Sequence, residues 1–349
     1  MQQENKFFPK NYKEAHPRLI LQKKHCIIIL YSIFQTAEDS ILKKRILLIG
    51  YPEIELGLAA EHFAAAGETV ATDRTQTFTP GGALSYAGVA VTRLGGEAIL
   101  CGTVGADNHG RELLGFYKEL GMDTRFVQTV KTAETPISVY LSAEGGQAAY
   151  RHTALCGSIT PDLVEDAFTT EPDAVYVSMD IPADACLCAA ALAREKKIPA
   201  FFDGEDIAED FPLERLGDVS LIALSPQMTV RYTGISPRDA QSNLRAAVEL
   251  SKTVKAKTYV FKFGVGGAFA YKGNFSYYVP YVEYADPRFT KLLIPAMILE
   301  NLRSAKSVRA LRYASTVIAR AAARGDAPLS SIPSETDVLR YILEHEVEL

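Results

Sequence analysis

GETVATDRTQTFTPGGALSYAGVAVTRLGGEAILCGTVGADNHGREL, residues Gly67–Leu113, changes its residue pattern four times. Polar alternation rich in threonine comes first, as in exposed strands, and it ends in a Pro80-Gly81-Gly82 turn. Small residues with a terminal glycine, SYAGVAVTRLGG, follow as a closely packed helix, and EAILCGTVG is a short apolar run suited to a buried strand. Backbone N–H groups at a helix start bind anions and hydroxyl oxygens, and glycine lets a ligand approach them. Gly81 and Gly82 are therefore candidate ligand contacts, although a tight turn into a helix is the better account of a lone Gly-Gly.

Outward from this stretch, strand and helix alternate. KRILLIGY precedes it, and DAVYVSM, ADACLCAAALAREKK, PAFFDGE, VSLIALSP and PRDAQSNLRAAVELSKTV follow later. Repeated strand–helix units imply a parallel sheet covered on both faces. PISVYLSAEGGQAAYRHT predicts a hairpin around Glu144-Gly145-Gly146, and it falls outside that alternation. TYVFKFGVGGAFAYKGN carries a second glycine cluster, Lys262 to Ala268, between two strands.

The bulk composition, 48% hydrophobic and 23% charged, is that of a globular chain with a sizeable core. A net charge of -5 without a basic, aromatic-interleaved patch excludes a nucleic-acid footprint. The five cysteines lack metal-ligand spacing, so reduced thiols in a cytoplasmic protein are expected, and no residue is assigned as a metal ligand. Residues 1–44 differ from the rest. Their one apolar run, HCIIILYSIF, is too short to span a bilayer, and no small-residue cleavage site follows it. A poorly ordered extension is the expectation there, and no membrane contact.

In order and spacing, these segments resemble the ribokinase-like (PfkB) family of sugar and nucleoside kinases. Gly67–Leu113 looks like the family's first signature, TPISVYLSAEGGQAAYRHTALCGSITPDLV like its lid hairpin, and FKFGVGGAFAYKG like its nucleotide-side glycine turn. ARGDAPLSSIPSETDV is similar to its C-terminal close, so the resemblance runs from about residue 45 to 340. It implies a doubly wound, mostly parallel α/β domain over 45–349, with helices on both faces and a β lid from about 56–80 and 127–152. It also implies ATP and magnesium as cofactors, a small sugar or nucleoside as partner, and a homodimer through the lid. Carried over residue by residue, it puts Glu55, Gly81, Gly82, Tyr86, Arg151 and Asp203 at the substrate, and Lys262, Gly264, Gly266 and Gly267 at the nucleotide.

The chain departs from the family at VEYADPRFTKLLIPAM, Val282–Met297. The family's D-T-x-G-A-G-D turn forms an anion hole and supplies the general base. In register, Asp286 takes its first position, Phe289 and Lys291 replace its last two glycines, and Leu292 replaces the catalytic Asp. Phosphoryl transfer depends on positioning and on stabilising charge, and a leucine accepts no proton. Gln227 and Val230 replace the Asn and Glu of the N-x-x-E motif, which weakens the case for magnesium. Glu55 and Tyr86 stand in for the sugar-contacting Asp and Asn. Two residues admit two readings each. Arg151 holds an anion or is an exposed lid arginine, and Asp203 contacts ligand or caps a loop. Arg288 and Lys291 hold an anion or, as expected here, form a solvated first turn of a plain helix begun by Asp286 and Pro287.

The functional expectation is a catalytically impaired member retained for sugar, nucleoside or nucleotide binding or for regulation. The alternatives are an active ATP-dependent kinase that uses Glu55 or Asp203 as base, and a structural subunit of a lid-mediated assembly.

Overall fold

The computed structural model describes residues 43–349 except 76–77, 145, 153–154, 156–157, 206, 208–210, 264–266, 274, 280–286, 305, 325–327 and 348. The expectations placed on residues 1–42, Gly264, Gly266 and Asp286 lie outside the described residues.

Short apolar runs make the centre of the large sheet because both of their faces are covered. In β1 (Arg45–Ile49) four of five residues are buried. Among the described residues the strands continue as β2 (Glu53–Ala60), β3 (Thr72–Thr75), β4 (Thr79–Gly81), β5 (Glu97–Gly105), β6 (Asp123–Val130), β7 (Ile137–Ala143) and β8 (Gly146–His152). Then come β9 (Ala174–Ser178), β10 (Ala200–Gly204), β11 (Asp218–Leu224), β12 (Lys255–Lys262), β13 (Ala268–Lys272) and β14 (Phe275–Val279). The nine-stranded sheet has the order β14-β13-β12-β11-β10-β9-β1-β5-β6. Pairing is parallel from β12 to β6, and β13 and β14 are antiparallel.

Helices cover both faces. On one lie α1 (Gly82–Arg93), α2 (Asn108–Glu119) and, near the C-terminus, α7 (Leu293–Ser304) and α8 (Ser307–Ala322). On the other lie α3 (Pro161–Phe168), α4 (Ala183–Glu195) and α6 (Ala240–Leu250). Local sequence sets several starts. Thr160 and Ser225 accept hydrogen bonds from Leu163 N–H and Met228 N–H, each with a proline at the first helical position, which begins α3 and α5 (Pro226–Thr233).

The strand order reverses at β1: the chain adds β5 and β6 on one side and returns to add β9 on the other. Open α/β sheets bind ligands at the carboxyl ends beside such a reversal. Here that edge is roofed by the second sheet, β3-β2-β7-β8, with β4 also on β2. The small sheet starts earlier than the sequence implies, at Glu53. Its second part starts later, at Ile137, because Val127–Val130 complete β6 in the large sheet.

Pro287–Leu292 forms a 3-10 helix that leads into α7, in place of a plain helix start. Pro295 does not interrupt α7. It falls in the first turn, where backbone N–H groups have no helical partner to lose.

Candidate functional site

Glu53 and Glu55 alternate with core residue Ile54 at the start of β2, so both carboxylates point to one side and both are buried, at 3% and 1% exposure. Buried carboxylates require donors, and the fold supplies them. Glu55 accepts from the Gly82 N–H at 3.1 Å, the Tyr86 hydroxyl at 3.0 Å, Arg288 at 3.1 Å and the Lys291 ammonium at 3.1 Å. Glu53 accepts from the Ser138 hydroxyl at 2.8 Å and pairs with Arg151 at 3.3 Å and Lys291 at 3.7 Å. Tyrosine rings flank the cations. The Arg288 guanidinium lies 5.0 Å from the Tyr140 ring centre and the Lys291 ammonium 5.0 Å from that of Tyr86.

The Gly-Gly turn serves this arrangement. A Cβ on Gly81 would sit 2.2 Å from Glu55 Cγ, and one on Gly82, whose φ is +77°, would sit 2.8 Å from Glu53 Cγ. No side chain of the turn caps α1; the Glu55 carboxylate does so from β2. The anion at this helix start is thus the chain's own. Burial pushes the Glu55 carboxyl up, but Lys291, Arg288 and the Gly82 N–H together outweigh it and hold it below the ordinary glutamate value. Burial lowers the Lys291 ammonium, and Glu55, Tyr140 and Glu53 more than restore it.

Both cations come from the 3-10 helix, whose three-residue turn aligns positions i and i+3. Arg288 and Lys291 therefore face Glu55 together, while Phe289 and Leu292 face the core against α1, α7 and α8. The expectation of a solvated turn is overturned: Arg288 is 5% exposed, because two buried glutamates lie opposite. Leu292, at the position that the resemblance gives to the base, is fully buried among apolar side chains.

A second cluster joins the carboxyl ends of β10 and β12. The Lys262 ammonium lies 2.6 Å from Asp203 and 2.8 Å from Glu205, and the Tyr176 hydroxyl donates to Asp203 at 3.2 Å. Burial raises the Asp203 carboxyl more than Lys262 lowers it. For Glu205, whose side chain is 48% exposed, the balance reverses: partial desolvation raises it, but Lys262, then Lys291 and Arg151, hold it below the usual range. Arg151 is exposed on the lid yet lies 3.9 Å from Asp180 as well as 3.3 Å from Glu53, so it is an ion-pair partner and not a free lid arginine. Lys262, expected at the nucleotide, has its charge taken by two carboxylates.

Gln227 and Val230 lie exposed on α5. The Val230 methyls offer no oxygen ligand where the resemblance calls for a carboxylate, so a magnesium ion does not fit the residues at this position. Gly267, the one described glycine of the Lys262–Ala268 cluster, has φ +114°. Sequence reasoning missed Glu53, Ser138 and Tyr140. The period-two alternation at Glu53-Ile54-Glu55 and the period-three RFTKL were the available signals.

Two relatives and one solved structure frame this geometry. Bacillus subtilis ribokinase is 29% identical over 141 residues, 40% of this chain and 48% of that protein. Haemophilus influenzae ribokinase is 21% identical over 310 residues, 87% of this chain and all 100% of that one. In structure, Arabidopsis thaliana ribokinase complexed with ribose and ATP superposes with a TM-score of 0.73 at 17% identity, covering 87% of this chain and 99% of that one. The chain thus spans only about half the length of the first of these relatives and the full length of the second. Residues 43–286 match the pfkB carbohydrate kinase family, from the first strand of the large sheet to the residue before the 3-10 helix. A match that takes in the large sheet, its lid and the glycine turns makes the protein a member of the pfkB family of carbohydrate kinases.

Proposed function

We propose that this protein is a PfkB-family member that has lost phosphoryl transfer and acts by binding a sugar, nucleoside or nucleotide, or as a regulatory subunit. The pairing of Arg288 and Lys291 with Glu55 at the start of α1 carries this reading. In a phosphotransferase, free backbone donors and a proton acceptor converge on the transferred group. Here the Gly82 N–H is engaged by Glu55, and the segment beside it presents two paired cations and a core leucine. General-base help worth about 10²–10⁴-fold has no residue at Leu292 to supply it. Magnesium-dependent positioning of ATP lacks its carboxylate at Val230.

One observation favours a second reading. Asp203 stands at the carboxyl end of β10 with its carboxyl raised by burial, a direction that suits a general base, although Lys262 partly opposes it. A coupled assay with ATP and magnesium over a panel of sugars and nucleosides separates the two. The expected result is no turnover, with a thermal shift from at least one nucleotide, sugar or sugar phosphate. Turnover at ordinary kinase rates of ~1–100 s⁻¹, abolished by Asp203→Asn, overturns the proposal. Assembly through the lid rests on edge strand β8, where Tyr150 is 69% exposed, and light scattering at rising concentration tests it.

A further inference from the structure

At the opposite edge of the large sheet, the amino ends of β10, β11 and β12 and the end of α4 line an open groove of about 630 Å³. Four cations line it, Arg194 and Lys197 from the helix end and Lys255 and Lys257 from β12, with Asp218 as the one carboxylate. Among the described residues no carboxylate lies within ion-pair distance of any of the four. Such a concentration is unexpected in a chain of net charge -5.

Ordinary helix chemistry accounts for part of it. Cations complement the carbonyl end of a helix, and Arg194 donates to the Leu216 carbonyl at 2.6 Å. The same chemistry does not account for Lys255 and Lys257. They are two residues apart on one strand and therefore point to the same face, and like charges so placed repel. The parallel register sets Asp218 beside Lys255, yet the two form no ion pair. On the same face of β12 as the two lysines stands Tyr259, and with Ile198 and Pro199 from the segment after α4 it gives the groove an apolar floor. Cations from two elements beside an apolar floor, in an open groove of this size, suit a small anion with an organic body.

We propose that this groove binds a small organic phosphate, with Lys255, Lys257 and Lys197 on the phosphate and the apolar floor under the body of the ligand. The site is separate from the Glu55 cluster. β12 runs from Lys255 at this edge to Lys262 at the other, roughly 23 Å at ~3.3 Å per residue. Its existence does not rest on the loss of phosphoryl transfer.

Calorimetric titration of the full chain with ribose 5-phosphate, ribose and inorganic phosphate tests it at low and high salt. Ribose 5-phosphate is expected to bind saturably and more weakly as salt rises, and ribose is not expected to bind at this edge. The exposed double variant Lys255→Ala/Lys257→Ala is expected to bind about tenfold more weakly or worse. Lys197→Ala, a single exposed change, should also weaken binding and serves if the double variant misfolds. Binding lost with Arg151→Ala but kept in Lys255→Ala/Lys257→Ala puts the ligand at the other edge and overturns the proposal. So does the absence of saturable binding, and equal affinity for inorganic phosphate overturns the assignment of an organic body.

Discussion

The Glu55 carboxylate gathers donors from two segments, Gly82 and Tyr86 on one side and Arg288 and Lys291 on the other. Removing one partner of a buried ion network leaves charge without compensation, so Glu55→Ala is expected to cost about 3–5 kcal/mol in urea unfolding. The acid limb of stability follows from the same residue. Its folded pKa is depressed, so its stabilisation is present above the ordinary value of 4.5 and is lost as pH falls through the lower folded value. Wild type should lose stability below pH 4.5 more steeply than Glu55→Gln. Asp203 has the opposite sign. Its folded pKa is raised, so protonation favours the folded state, and Asp203→Asn should make the acid limb steeper.

At the scale of elements, the 3-10 helix and the Gly-Gly turn form one device. The turn lets Glu55 close on α1, and the 3-10 helix delivers two cations to it. Gly81→Ala puts a methyl group against Glu55 Cγ and is expected to cost roughly 1–3 kcal/mol by crowding, with the Glu55 contacts loosened. Leu292→Asp introduces the residue type that the family resemblance expects at this position. It buries a carboxylate among apolar side chains, and it should lower the melting temperature while yielding no phosphotransfer. Recovery of turnover in Leu292→Asp alone would contradict the view that the whole segment, and not one residue, has changed.

Across the whole molecule, these contacts tether the small sheet to the large one. Ser138 and Tyr140 on β7, Arg151 on β8 and both glutamates on β2 all join the network around Lys291. Hydrogen exchange of β2 and β7 should quicken in Arg288→Met/Lys291→Met. It should change little between low and 1 M salt in wild type, because buried pairs are screened far less than surface ones. An unchanged exchange pattern in the double variant would show that backbone pairing alone holds the lid. Among the described residues, no helix is long and apolar enough to cross a membrane.

The alternation of strand and helix, the lid hairpin and the position of the Gly-Gly turn were legible in the sequence, because periodicity and turn chemistry are local. The family resemblance put Phe289, Lys291 and Leu292 in register with its glycines and aspartate, and the match to the family model ends just before them, at residue 286. The partners of Arg288 and Lys291 were not. Glu55 lies 233 and 236 positions away, and nothing in RFTKL distinguishes a solvated turn from a buried one. The sequence by itself determined a PfkB scaffold. Only the tertiary structure decided that the turn's cations neutralise the chain's own buried carboxylates, because ion pairing depends on distance in space and desolvation, and neither is written in local order.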